Sequence, residues 1–475
     1  MTDSVIAHFL AQQADFARFR AQSFVNNSNN QKKPQRNIYN KLFNYYKDFI
    51  DRDTTNRLIS LTGLRGSGKT TLLFQLFTEI ELENQCDVLF LSLDHLKSTL
   101  SFSIRDILTW YEKHIQSPFS ELQRPLCIFI DEAQFDDEVL FVLHSLIIST
   151  DKVFIFVAGT PQLLNQHKTN FSHIICEKLH PLSSAEYLKI TKQKYKIPWL
   201  GSSIRDTLFF SRNSEDLYNW LQLLAPEINT YYKWTVLGDY YRYLCYGSFP
   251  HLIDVNEESM VYEQMQRTLD RILYKDLAYA KFHPDTVALI PSMLFALSSM
   301  ESCNIKKMAE KFNFSRSKMS EILDSLENSG LLRRMYAYWP YLGEVVSRRS
   351  SKYLFATPAF RILNYRIVSE LLSNPNMKSK IMEDVVAMYF YKAFDRVGKG
   401  TISYDANIWW ADMIVDIDES LIPIQIEWHT EWYREITQTM KKYPSKYGII
   451  ISENQLGHDK EAGIVKIPLR MFLLM

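Results

Sequence analysis

The stretch Leu58-Ile59-Ser60-Leu61-Thr62-Gly63-Leu64-Arg65-Gly66-Ser67-Gly68-Lys69-Thr70-Thr71-Leu72-Leu73-Phe74-Gln75-Leu76 decides how the rest of the chain is read. A short apolar run enters Gly63–Thr70 and an apolar, helix-forming run leaves it, which sets G-x-x-x-x-G-K-T between a strand and a helix. Glycines let successive backbone N–H groups turn inward around phosphates, at a helix N-terminus whose dipole already favours anions. Gly63, Leu64, Arg65, Gly66, Ser67 and Gly68, with Lys69, Thr70 and Thr71 where the helix begins, are therefore the candidate nucleotide-binding residues. Lys69 reaches the β and γ phosphates and counts as catalytic; the Thr70 hydroxyl is placed to ligate Mg²⁺. All five defining positions stand in this context, against the alternative of a glycine-rich turn before an ordinary helix.

The whole chain has 475 residues, enough for two to four domains. Its 46% apolar and 23% charged residues exclude a disordered or fibrous protein. Lysine and arginine number 54 and so do aspartate and glutamate, so any nucleic-acid binding must come from a local patch. Cys86, Cys127, Cys176, Cys245 and Cys303 lie far apart, without metal-ligand or redox spacing, and read as reduced, mostly core thiols. The N-terminus lacks a basic stretch followed by an apolar one. The longest apolar run, residues 139–148, falls far short of the ~20 residues a bilayer requires. The expectation is a cytoplasmic protein with no membrane partner.

Residues 1–57 read as helical and then as a polar connector, with Asn26–Arg36 as an exposed loop. From 58 to about 180 apolar runs (58–61, 88–93, 126–130, 153–157, 174–179) alternate with helical ones, which predicts a parallel sheet flanked by helices. The run Leu126–Ile130 ends in Asp131-Glu132, placing two carboxylates at the edge where open α/β sheets bind ligands. Asp131 would hold Mg²⁺ and Glu132 would polarise the attacking water. The run Val153–Val157 leads to Thr160, which either senses the γ phosphate or caps a helix before Pro161; the two roles are compatible.

Taken together, Gly63–Thr70, Asp131-Glu132, Gly159-Thr160, Pro181–Glu186 and Tyr246-Gly247-Ser248-Phe249-Pro250 resemble the prokaryotic AAA-type ATPases of the archaeal ATPase group. The helical stretch from about 256 to 281, with Arg267, Arg271 and Asp276, is similar as well. The resemblance implies an α/β architecture in five parts: an N-terminal helical segment (1–57), a P-loop NTPase core of AAA type (58–180), a helical lid (181–295), a winged helix-turn-helix (296–355), and a restriction-endonuclease-like domain (356–475) of the PD-(D/E)xK type. That family carries an arginine after the sensing strand, whereas residues 160–186 hold only Lys168 and Lys178. An arginine finger is worth about 10³–10⁵ in rate; Arg205, Arg212 and Arg242 are possible substitutes, and the sequence does not choose among them.

Residues 303–352 carry ten Lys/Arg against five Asp/Glu, a local +5. Ile305–Phe312 and Ser315–Glu327 read as two helices around an Asn313-Phe314-Ser315 turn, with Gly330 ending the second. In such modules the N-terminal end of the second helix enters the major groove, so Arg316 and Lys318 are the candidate contacts to double-stranded DNA. The other reading is a protein-interaction or lid module with a solvated charged face. In the last domain, helix, three strands, helix and strand follow one another. The resemblance assigns Glu383 and Asp412 to the first two metal-ligand positions. Gln425-Ile426-Glu427 replaces the expected Glu-x-Lys, so the site is either a vestigial nuclease or one with Glu427 as third ligand; ligand chemistry favours the first. The sequence therefore reads as an ATPase using Mg²⁺, a nucleotide-driven switch coupled to DNA through its winged helix, with self-association or a protein partner unresolved. An ATP-regulated DNA nuclease and a nucleotide-responsive transcription regulator are the alternatives.

Overall fold

The computed structural model describes residues 2–27, 30–100, 102–114, 118–163, 173–192, 197–233, 235–338, 350–365, 375–405, 411–426 and 433–475. The chain divides into two compact units, Met1–Pro181 and Leu182–Met475.

In the first unit β1 (Leu58–Thr62), β2 (Asp87–Ser92), β3 (Leu126–Asp131), β4 (Val153–Gly159) and β5 (Ile174–Lys178) form one sheet in the order β2-β3-β4-β1-β5. Every pairing is parallel. The central strands are buried on both faces, which is why they read as unbroken apolar runs rather than alternating ones. The two faces nevertheless differ in chemistry. Leu126, Ile128, Ile130, Val153, Ile155 and Val157 face a mainly aliphatic core that also holds Phe9, Trp110, Tyr111 and Phe119. Phe90, Phe129, Phe154 and Phe156 join an aromatic core on the other side. There α3 (Lys69–Glu83) contributes Phe74, stacked 4.6 Å from Phe90, and Phe77, edge-on to Phe129 at 5.6 Å. Helix α2 (Tyr39–Ile50) adds Phe49 against Phe154 at 5.2 Å. Each such side chain, fully buried, contributes about 1.5–3 kcal/mol relative to exposure. Helix α1 (Thr2–Val25) lies against α3.

The second unit opens with helices Ser184–Lys192, Pro198–Phe210, Ser214–Tyr232, Glu258–Tyr274 and Pro284–Ser299. The helical stretch expected over 256–281 stops at Tyr274 and continues as a tighter turn over Asp276–Ala280. Helices Ile305–Lys311 and Arg316–Asn328 follow, then strands β6 (Leu332–Ala337) and β7 (Lys352–Phe355), an antiparallel pair. After helix Pro375–Val397 come β8 (Thr401–Tyr404), β9 (Met413–Ile417), β10 (Ser420–Ile426), helix Tyr433–Lys442, β11 (Gly448–Ser452), β12 (Gly457–Asp459) and β13 (Ile464–Pro468). All eight strands make one sheet, β12-β13-β11-β10-β9-β8-β6-β7, because β6 pairs with β8 as well as with β7. A single core joins residues from Tyr187 on the first helix to Met475 at the chain end.

Candidate functional site

The phosphate loop is built by contacts no side chain larger than hydrogen would allow. Gly63 follows β1 and donates its N–H to the Gly159 carbonyl at 3.2 Å. A Cβ added there would stand 2.4 Å from the Leu179 carbonyl oxygen. Gly66 and Gly68 adopt φ of 85° and 98°, the left-handed region that glycine enters without strain. Helix α3 then starts at Lys69 with Gly68 before it. The Lys69 ammonium is buried and donates to the Gly63 and Leu64 carbonyls at 2.7 and 3.1 Å. Thr71 follows in the first turn of α3. A residue that the sequence gave no reason to single out supports the loop from outside. Arg36, buried rather than exposed as its polar connector suggested, donates to the Ser67 carbonyl at 2.7 Å and to the His180 carbonyl at 2.8 Å.

Sheet order brings the remaining groups to the same edge. With β4 between β1 and β3, Thr160 emerges between the phosphate loop and the Asp131-Glu132 pair. The Thr70 hydroxyl donates to Asp131 Oδ2 at 2.8 Å, so the two expected Mg²⁺ ligands already touch. Burial, then the Glu132 charge, push the Asp131 carboxyl up to about 6, against the pull of Thr70 and Lys69. A hydroxyl and a carboxylate in a buried pocket are hard oxygen donors of the kind that suits Mg²⁺. The loop amides at a helix start fit a phosphate chain.

Glu132 holds φ 55°, ψ 43°, a left-handed conformation that is uncommon for a non-glycine residue and that clusters at functional sites. Its carboxylate is gripped at both oxygens. Arg65 Nη1 and Nη2 donate to Oε1 and Oε2, each at 2.9 Å, and Gln134 Nε2 donates to Oε2 at 2.6 Å. Gln134 Oε1 in turn accepts the Thr160 N–H at 3.2 Å, tying the acidic turn to the end of β4. The Thr160 hydroxyl is buried and has no hydrogen-bond partner among the described residues, so it does not cap the turn that follows. The Ser67 hydroxyl is in the same position. Two buried hydroxyls left unmatched beside the loop are acceptors and donors for a polar group brought to this edge.

Residues 55–188 match the AAA domain family model. The first unit therefore carries an AAA-type P-loop domain. Residues 237–363 match a second model, a domain of unknown function (DUF8612). Over 446 residues the chain is 27% identical to an uncharacterised protein of Methanocaldococcus jannaschii, covering 92% of this chain and 89% of that one. Similar solved structures include the Aeropyrum pernix ORC1 protein in complex with DNA, at 12% identity and TM-score 0.33, covering 71% of this chain and 93% of that chain. The Thermotoga maritima RuvB Holliday junction branch migration motor is similar at 16% identity and TM-score 0.27, covering 64% and 90%. The Cdc6p protein of Pyrobaculum aerophilum is similar at 11% identity and TM-score 0.27, covering 76% and 98%. No helix among the described residues is long and apolar enough to cross a membrane.

Outside the AAA domain, the second unit brings Glu383, Asp412 and Gln425 together; Glu427 lies outside the described residues. Gln425 Nε2 and the Ile426 N–H both donate to Asp412 Oδ2, at 2.9 and 2.7 Å. Burial first, then Glu383, push the Asp412 carboxyl up to about 7. A lysine from another strand stands beside these carboxylates. Lys352 on β7 is buried, and its ammonium lies 2.5 Å from Glu383 Oε2. Burial opposes its charge, but Glu383 and Asp412 outweigh that and raise its affinity for the proton. Nothing in the sequence marks Lys352, since it lies 60 residues before Asp412. Among the described residues no group of three or more His, Cys, Asp or Glu could hold a metal ion.

Both helices of residues 305–328 carry N-terminal side-chain caps. Asn304 accepts from the Lys306 and Lys307 amides, and Ser315 accepts from the Lys318 amide. Arg316 is exposed at the start of its helix. Lys318 is half-buried, 3.0 Å from Glu321 and over the Phe282 ring at 4.3 Å. Arg334 is ion-paired with Asp324 and Glu327, and Lys352 with Glu383, so part of the local positive charge is spent internally. Arg348 and Arg349 lie outside the described residues. Of the substitute arginines, Arg242 donates to the Leu252, Ile253 and Val255 carbonyls, and Arg205 pairs with Asp206 at 2.7 Å. Arg212 is exposed.

Proposed function

We propose that this chain binds ATP with Mg²⁺, hydrolyses it, and uses the nucleotide state to set the conformation of its C-terminal unit. The observation that carries the reading is the 2.8 Å contact between the Thr70 hydroxyl and Asp131, beside Glu132 on one sheet edge. When bound, the metal supplies Lewis-acid neutralisation of phosphate oxygens. The chain supplies the rest. Loop amides hold the phosphates, Lys69 neutralises the β and γ groups, Glu132 takes a proton from the attacking water, and the Thr160 hydroxyl reports the γ phosphate. Gln134 orients Glu132 through Oε2. Steady-state ATP turnover with Mg²⁺ should fall at least about 10²-fold in Glu132→Gln, the size of a general-base contribution, with ATP binding kept. Equal turnover in both proteins removes the hydrolase reading.

The exposed Arg316 supports DNA as the partner of the helix-turn-helix stretch; half-buried Lys318 contributes less. A second reading, an ATP-regulated nuclease, gains from Lys352, which brings a cation to Glu383 and Asp412. The first reading is favoured, because both Asp412 and Glu383 are already engaged by protein donors. Mn²⁺-dependent cleavage of duplex DNA that vanishes in Asp412→Ala would reverse that preference.

A further inference from the structure

A site that transfers the γ phosphoryl group of ATP needs positive charge on the developing transition state beyond its lysine and metal. The stretch following β4, where such an arginine was expected, has none. The loop itself has one. We propose that Arg65 is the arginine of this site: its guanidinium passes from Glu132 to the γ phosphate when ATP arrives, and the same movement frees Glu132 to act as base. The proposal rests on the nucleotide reading above and adds to it the source of the transition-state cation and the reason the site would answer to ATP rather than ADP.

Position comes first. Arg65 is the third residue of Gly63–Thr70, so its backbone belongs to the phosphate cradle. Its side chain is mostly buried, 12% exposed, and points to the carboxylate that would activate water. A general base works within about 2.6–3.2 Å of the water it deprotonates, and that water stands about 3–3.5 Å from the phosphorus it attacks. Glu132 as base would therefore stand one water from the γ phosphate, and the Arg65 guanidinium lies 2.9 Å from both oxygens of that base on a residue whose backbone belongs to the phosphate loop. Arg36, the other arginine at the loop, donates to the backbone carbonyls of Ser67 and His180 and supports the loop from behind.

Chemistry follows from position. While both guanidinium nitrogens hold the Glu132 carboxylate and Gln134 holds Oε2, both carboxylate oxygens are occupied by protein donors and neither is open to an incoming water. The planar fork that fits a carboxylate also fits two phosphate oxygens. The γ phosphate of ATP carries more negative charge than Glu132 and is a competing acceptor; ADP brings no such group. Transfer of Arg65 leaves Oε2 on Gln134 and opens Oε1. Water then bonds to the γ phosphorus as the bond to the β–γ bridging oxygen breaks, its proton passes to Glu132, and ADP and phosphate result. Arg65 stays on the equatorial oxygens throughout. Gln134, which also accepts the Thr160 N–H, keeps the carboxylate in place after the arginine has left.

The test uses the full chain with Arg65→Ala and Arg65→Lys, both checked for an unchanged thermal transition. Turnover of Mg·ATP should drop by about 10³-fold or more, the scale of an arginine finger, with KM moved only a few-fold. Arg65→Lys, lacking the fork, should recover little. Guanidinium ion added to Arg65→Ala should restore part of the rate, which a structural ion pair would not do. Equilibrium binding gives a readout independent of turnover. In the Glu132→Gln background ATP should be preferred over ADP, and Arg65→Ala in that background should abolish the preference. Turnover of Arg65→Ala at or above wild type, or an unchanged ATP-to-ADP preference, overturns the proposal and leaves the nucleotide reading standing. Failure of the wild type to bind ATP overturns both.

Discussion

At the scale of single residues, the most consequential contacts are buried charges that sequence could not pair. Lys352 and Glu383 face each other with side chains 10% and 5% exposed. Removing one member of a buried pair costs about 3–5 kcal/mol because the other charge is left stranded, whereas replacing both with apolar groups is often neutral. Lys352→Met should therefore lower the stability of the second unit by that amount in urea titration, and Lys352→Met with Glu383→Met should recover most of it. Strictly additive losses would show the pair to be uncoupled. Asp412 offers a pH test of the same cluster. Its carboxyl is pushed up to about 7 from the ordinary 3.8, so the folded state holds the proton that the unfolded chain releases. The stabilisation from that proton is complete below about pH 4 and is lost as pH rises through about 7, at up to ~1.4 kcal/mol per unit. Raising the pH from 5.5 to 7.5 in EDTA should thus depress the wild-type Tm more than that of Asp412→Asn; parallel profiles would refute the shift. The nucleotide site was far more legible at this scale. Lys69 and Thr70 stand out by the spacing of Gly63–Thr70, and Asp131-Glu132 by closing an apolar run, both of them patterns local in the sequence. Arg36 and Lys352 do not, because a hydrogen bond or ion pair between distant segments leaves no periodic trace.

At the scale of elements, apolar runs located all five strands of the first unit to within a residue or two; the three central ones, buried on both faces, admit little else, and the edge strands β2 and β5 are only partly buried. Period and run length could not reveal that β6 pairs on both sides, with β7 and with β8, so that one sheet extends across residue 356. Strand partners are chosen by tertiary packing, and the alternation of a strand says only which face is buried. Among its described residues the connector before α2 is exposed or half-buried as expected except at its end, where Arg36 departs for a related reason. Its polar composition fits a solvated loop, yet Arg36 is turned inward to backbone carbonyls and Gln75 donates to the Lys33 carbonyl at 3.2 Å. The loop between β1 and α3 supplies the expectation that belongs here. Gly63 is pinned between the ends of two strands, with the Leu179 carbonyl oxygen only 2.4 Å from where a methyl would go. That neighbour is backbone and cannot rotate aside, and overpacking of this kind costs about 1–3 kcal/mol. Gly63→Ala should weaken ATP binding by roughly tenfold or more with the sheet still folded, read by titration of a fluorescent nucleotide. Wild-type affinity in that variant would mean that the loop closes without this contact.

At the scale of the molecule, zero net charge removes long-range attraction to a polyanion, so DNA binding has to be local and strongly dependent on which cations are available. The +5 of residues 303–352 overstates what a phosphate would meet, since Lys352 is committed to Glu383, a carboxylate outside that stretch; the pairing of Arg334 with Asp324 and Glu327 is already counted in it. Lys306, Lys307 and Arg316 remain exposed, and Lys318 is half-buried against Glu321 and Phe282. The two candidate contacts named by the sequence should therefore behave differently. For duplex DNA the slope of log K against log[salt] changes by about 0.9 for each phosphate contact. Arg316→Ala should reduce the slope by about that much, whereas Lys318→Ala should leave it nearly unchanged, because its ammonium has a carboxylate within 3.0 Å to satisfy first. A Lys318→Ala effect as large as that of Arg316→Ala would mean that DNA displaces Glu321. No change in either variant would take double-stranded DNA away from this stretch and leave a protein partner as its reading.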